Sequence, residues 1–122
     1  MSFDWSHYLD IAQDLYTQAS SSSHQDANLR CSVSRAYYAT FHKARVRLYE
    51  KWGITVSNQA TAHGEVRREF DSRNQKHIAA TLNRMRIDRN KADYSDSLVN
   101  LTFMAKENLR RANQVITDLK KL

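Results

Sequence analysis

Arg89 is the first residue that asks for a chemical account. Ile78, Leu82 and Met85 recur at helical steps, and the same steps lead to Arg89 and then Ala92. A guanidinium thus stands on an otherwise apolar stripe. It must be paired or open onto a cleft, because burying a lone charge is very costly. A partner could be Asp93, one turn on, or Glu65 or Glu69. An open guanidinium would instead match a phosphate with its fork of donors. Asn90, Asp93 and Tyr94 follow it directly. His63 poses a similar choice. It shares a side with Val66 and Phe70 and should point inward, either as a hydrogen-bonded core residue or as an acid–base group titrating near neutrality. Adjacent Tyr37 and Tyr38 cannot both face the core, so one lines a groove or an interface. A polar stripe of Ser34, Tyr38, His42 and Arg45 accompanies them.

Other chemistries find no residues to carry them. The five histidines form no i, i+4 pair, and Cys31 is the only cysteine. Neither a metal site nor a disulfide framework is expected, and no cofactor is implied. Gly53 and Gly64 are the only glycines and there is no proline. Glycine-rich phosphate loops and dinucleotide fingerprints cannot be written with two isolated glycines, and a sheet protein would need more turn residues.

The elements that position these residues are helices. Trp5, Tyr8, Ala12, Leu15 and Ala19 mark a first helix, with Asp4 as its N-cap. The serine run 20–23 reads as a loop. A long second helix is predicted over about 26–51, with Asp26 capping its start and the stripe Val33, Tyr37, Thr40, Ala44, Leu48 facing inward. Gly53 should end it in the left-handed conformation. A third helix is predicted over about 61–73, then a turn at Asn74 and Gln75, then the helix bearing Arg89. The last helix is predicted to start with Ser95 as N-cap and to bury Leu98, Leu101, Ala105, Leu109, Ala112, Ile116 and Leu119. Amphipathic helices joined by short loops make an all-α, up-and-down bundle of four to five helices. The 122 residues fit one domain, residues 1–122.

Composition fits a globular chain: 41% hydrophobic and 26% charged residues are too apolar for disorder. No apolar run approaches the roughly 18 residues of a membrane span, and the first residues lack a signal-peptide pattern. A cytoplasmic protein with no membrane partner is the expectation. The net charge of +6 is uneven. Residues 1–26 carry four acids and no Lys or Arg, whereas residues 27–94 carry 14 Lys and Arg against 6 acids. A basic surface beside a cleft concentrates phosphate-bearing ligands, although the same charge could simply solvate helix faces.

Two segments carry a resemblance. Ser32-Val33-Ser34-Arg35-Ala36-Tyr37-Tyr38-Ala39-Thr40-Phe41-His42-Lys43-Ala44 resembles the signature second helix of HEPN-domain proteins, in which an Arg-x-Tyr-Tyr-Ala segment opens a long helix. Arg89-Asn90-Lys91-Ala92-Asp93-Tyr94 resembles the Arg-x-x-Ala-Asp-Tyr element of one prokaryotic branch, and His63 the histidine near the start of that branch's next helix. The match spans about residues 5–120.

The resemblance implies a helical bundle that forms a homodimer and binds RNA or a nucleotide. It also implies a place in toxin–antitoxin or phage-defence (antiviral defence) loci, with a nucleotidyltransferase-fold antitoxin as partner. Many members are metal-independent endoribonucleases whose catalytic arginine is separated from a following histidine by four to six residues. Here Arg89 and Asn90 match the start of that motif, but Tyr94, Ser95 and Asp96 stand where the histidine falls. The chemistry would then divide as follows. Arg89 holds the phosphate and offsets its developing charge. His63 or His42 accepts a proton. Tyr94, with a reference pKa of about 10, donates a hydrogen bond and becomes the acid if Arg89 lowers that value. Asn90, Asp93, Arg35, Tyr38 and His42 are the expected RNA or phosphate contacts. The other reading is a non-catalytic nucleotide-binding, RNA-binding or protein-interaction module.

Overall fold

Gly53 adopts φ +67°, donates its amide to the Tyr49 carbonyl at 2.8 Å and closes the longest helix where expected. A side chain there would strain the backbone. The computed structural model describes residues 3–122 and holds five helices: α1 (Ser6–Ala19), α2 (Gln25–Trp52), α3 (Ala62–Ser72), α4 (Lys76–Tyr94) and α5 (Leu101–Lys120). Among the described residues there is no strand, and no helix is long and apolar enough to cross a membrane.

Helix α2 is the spine and packs on all four others. The expected stripe Val33, Tyr37, Thr40, Ala44 and Leu48 is fully buried; Tyr37, Ala44 and Leu48 share a core with Val66 and Phe70 of α3, Ile78, Leu82 and Met85 of α4, and Leu109, Ala112 and Val115 of α5, while Val33 packs with Leu29, Ala92, Leu101 and Ala105. Asn74, at φ +61°, makes the expected turn between α3 and α4. Asp4 caps α1 from just outside it: its carboxylate accepts the Ser6 amide at 3.0 Å and the Ser6 hydroxyl at 2.6 Å.

Three expectations need correction. Asp26 does not cap α2; it sits inside the first turn and accepts from Arg30 Nε at 3.1 Å. Ser95 does not start the last helix, which begins at Leu101 after Asn100 in a left-handed turn. The cause is Arg30, which reaches from α2 and donates to the carbonyls of Ala92 at 3.0 Å and Ser95 at 2.6 Å. That holds Ser95 extended and spends the end of α4 on α2. Along α5, Val115 takes the inward position and Ile116 is only half-buried.

The stripe of α4 divides after Met85. Asp88 and Arg89 follow on its two edges. Asp88, 1% exposed, faces α5. Asn108 donates to it at 3.0 Å, while Arg111 and Arg84 stand off at 3.5 and 3.6 Å. Asn108→Ala removes the one short hydrogen bond to a buried carboxylate. The expected loss is about 1–3 kcal/mol, read as a lower urea midpoint with an unchanged slope. An unchanged midpoint would show that the two arginines suffice.

Candidate functional site

On its other edge, α4 turns Arg89 toward α2 and α3. The Arg89 side chain is 11% exposed. Its guanidinium lies over the rings of Tyr37 and Tyr38, at 5.4 and 5.3 Å from their centroids, a cation–π arrangement. Of the three carboxylates considered, only Asp93 reaches it, at 3.6 Å. Glu65 is instead committed to Ser57 and Thr61, and Glu69 to Arg73. A pair at 3.6 Å is loose for a charge-assisted hydrogen bond, and the buried Arg89 Nε has no partner at all.

Arg89 opens onto a hollow of about 570 Å³ between α3 and α4, lined by Tyr38, Ala60, His63, Gly64, Arg67, Arg86, Arg89, Asn90 and Tyr94. Three arginines face one space, and no carboxylate lines it. Arg67 and Arg86 make no ion pair among the described residues, and Arg67 Nη1 and Arg86 Nε are buried without a hydrogen-bond partner. Burial, then the neighbouring Arg86, holds the Arg67 guanidinium below its ordinary value. Crowded, unmatched cations of this kind suit an anion.

His63 stands at the wall of this hollow. Its Nδ1 lies 2.5 Å from the Tyr37 hydroxyl, and Phe41 covers its ring at 4.4 Å. Burial, reinforced by Arg89, Arg67 and Arg86, lowers its pKa, so the imidazole is neutral at pH 7. Burial pushes Tyr37 up to about 12, so its hydroxyl keeps its proton. Either group can donate across the contact. When Nδ1–H donates to the Tyr37 oxygen, Nε2 keeps a free lone pair.

Of the expected site residues, Arg89, Asn90, Tyr94, His63 and Tyr38 share this hollow. Tyr94 is its most exposed member, at 78%. Arg35 and Asp93 line an adjoining groove. His42 lies in a third hollow, with Phe41, Arg45, Val56 and Ala62. Sequence reasoning missed Arg67 and Arg86. A signal was present: Arg67 is one turn from His63, and Arg86 one turn from both Arg89 and Asn90.

His42 has a structural environment of its own. Trp5 stacks on it at 3.7 Å, and Arg45 Nε donates to its Nδ1 at 3.2 Å. Burial first, then Arg45, then His63, push it down to about 4. In the unfolded chain a histidine takes up its proton near pH ~6.5. The stability contributed by neutral His42 is therefore complete above that pH and is lost as the pH falls toward 4. His63 acts in the same direction. His42 is only partly buried, so solvent screening reduces its share. Melting temperature should fall between pH 6.5 and 4.5, and less steeply in His42→Gln. Equal slopes in the two proteins would contradict this.

Among the described residues no group of three His, Cys, Asp or Glu side chains is placed to hold a metal ion. Compared with family models, with curated proteins and with solved structures, the chain matches none.

Proposed function

We propose that the chain is a HEPN-type RNA-associated protein whose arginine pocket holds an RNA phosphodiester and whose His63 promotes its cleavage without a metal. The observation that carries this is the convergence of Arg67, Arg86 and Arg89 on one open hollow with no carboxylate in its lining. Guanidinium forks match the phosphate oxygens and stabilise charge that grows on them during attack.

His63 Nε2 takes the proton of the ribose 2′-hydroxyl. The 2′ oxygen bonds to phosphorus and the bond to the 5′ oxygen breaks. The departing 5′ oxygen takes a proton from the Tyr94 hydroxyl or from water. The products are a 2′,3′-cyclic phosphate and a 5′-hydroxyl. On the family resemblance, the chain acts as a homodimer beside a nucleotidyltransferase-fold antitoxin, in a toxin–antitoxin or phage-defence setting.

A second reading, a non-catalytic RNA- or nucleotide-binding module, is favoured by one observation: Arg89 is mostly buried and has Asp93 within 3.6 Å. One experiment separates the two. Single-stranded RNA is titrated with the protein in EDTA across a salt series, and its integrity is followed. The cleavage reading expects fragments with cyclic-phosphate ends. It also expects Arg67→Met to bind more weakly and to lower the log–log salt slope by about 0.7, one phosphate contact to a single strand. Binding without fragments supports the module. Binding that Arg67→Met leaves unchanged removes the pocket from both readings.

A further inference from the structure

Tyr38, Arg89 and Tyr94 wall two hollows at once. Beyond them, away from Arg67 and Arg86, a groove of about 640 Å³ runs between α1, the first half of α2 and the end of α4. Its lining differs in kind from the arginine pocket. Ile11, Leu15, Ala27, Cys31 and Ala92 contribute apolar surface, and Ile11 remains 47% exposed. At the rim, the Arg35 guanidinium lies over the rings of Tyr8 and Tyr38, at 5.2 and 5.5 Å, and pairs with no carboxylate among the described residues.

We propose that this groove receives an unpaired nucleobase of the RNA strand whose neighbouring phosphate lies in the arginine pocket. The proposal rests on the RNA reading above and names the form of RNA that the site takes. Adjacency gives the first reason: the two hollows meet at Tyr38, Arg89 and Tyr94, which line both, so neighbouring parts of one strand can occupy them together. Chemistry gives the second. A nucleobase is flat, with apolar faces, and suits an apolar floor edged by tyrosine rings and a free guanidinium. Charge gives the third: at the rim Arg30 is matched by Asp26 and Arg89 approaches Asp93, which leaves the Arg35 guanidinium without a carboxylate among the described residues and suited to a segment that brings phosphates with it. Bases paired inside a duplex cannot reach such a groove, so the site selects single strands.

Cys31 is a built-in reporter. It is the only cysteine of the chain, it is exposed, and it lies in the groove wall. The test follows the rate at which a maleimide alkylates Cys31 in the full chain. It is run alone, then with saturating single-stranded RNA, with an abasic ribose-phosphate strand of the same length, and with duplex RNA. Binding of each is measured separately by fluorescence anisotropy.

Single-stranded RNA should slow alkylation at least fivefold, while the bound abasic strand and duplex leave the rate within twofold. Ile11→Ser, on the groove floor and outside the arginine pocket, should weaken single-stranded RNA about fivefold through loss of apolar surface under the base, and leave the abasic strand nearly unchanged. Bound single-stranded RNA with an unchanged Cys31 rate overturns the base site and leaves the RNA reading standing. Equal protection by the abasic strand overturns it too, because the backbone alone then covers the thiol. Slow alkylation without RNA that speeds on dilution assigns the groove to a second copy of the chain. Absence of any RNA binding removes the RNA reading and the base site together.

Discussion

Arg89→Met should give a folded protein that no longer holds RNA. The methionine chain is long and unbranched and can lie where the arginine stem lies, over Tyr37 and Tyr38. The variant loses the cation–π contact and the 3.6 Å approach to Asp93. It also loses a buried Nε with no partner and the crowding of a third cation beside Arg67 and Arg86. These effects oppose each other, so stability should change by no more than about 1–2 kcal/mol. RNA affinity should fall far more. Charge-assisted hydrogen bonds to a phosphate contribute about 1.5–3 kcal/mol, roughly a 10- to 100-fold change in Kd. Cleavage should fall by about 10²–10³ as well, through loss of charge stabilisation in the transition state.

An independent sign accompanies these losses. After burial, Arg89 is the strongest influence that lowers His63, ahead of Arg67 and Arg86, so the His63 titration followed by NMR should move up in Arg89→Met. A structural Arg89 predicts the reverse pattern: a melting temperature lowered by many degrees, as when a buried pair is broken at a cost of about 3–5 kcal/mol, with RNA affinity unchanged.

His63→Gln should bind RNA nearly as well as the parent and cut it about 10²–10⁴ times more slowly, the range for loss of a general base. Glutamine keeps a polar partner for the buried Tyr37 hydroxyl, which alanine would orphan. The pH profile carries the same assignment. The base must be neutral, and burial with the three arginines lowers its pKa. The rate should therefore rise with pH below about 6.5 and be flat by pH 7. Unchanged cutting by His63→Gln would leave His63 as a core residue hydrogen-bonded to Tyr37.

The parts of this molecule legible in its sequence are those where one local rule acts alone. The α2 stripe from Val33 to Leu48 is buried because a 3.6-residue period has one inward face, and Gly53 ends the helix because the left-handed turn needs no Cβ. Where a distant side chain intervenes, local rules fail. Ser95 and Asp96 have the composition of a helix start, yet Arg30, 65 residues away, takes the Ser95 carbonyl and keeps the chain extended. Periodicity singled out Arg89 but passed over Asp88, because steps of three and four both continue from Met85 and both residues turn inward, toward different neighbours.

The site shows the same division. Arg89, Asn90 and Tyr94 come together as neighbours on one helix, and His63 joins them because α3 lies against α4. Arg67 and Arg86 drew no notice in the sequence, since nothing in their own helices shows that the two faces meet. His42, one turn along the polar stripe from Tyr38, lies against Trp5 of the N-terminal segment, a contact that no spacing rule within α2 could supply.

The most direct test is an NMR titration of the ¹⁵N-labelled chain with a short single-stranded RNA in EDTA, following the arginine Nε–H resonances. Arg86 Nε and Arg89 Nε are buried and unpartnered in the free protein. RNA should shift Arg67, Arg86 and Arg89 together and saturably, while Arg84 and Arg110, exposed and away from the pocket, stay still. Saturable RNA binding that leaves those three resonances in place, or no binding at low salt, would contradict an arginine pocket built for phosphate.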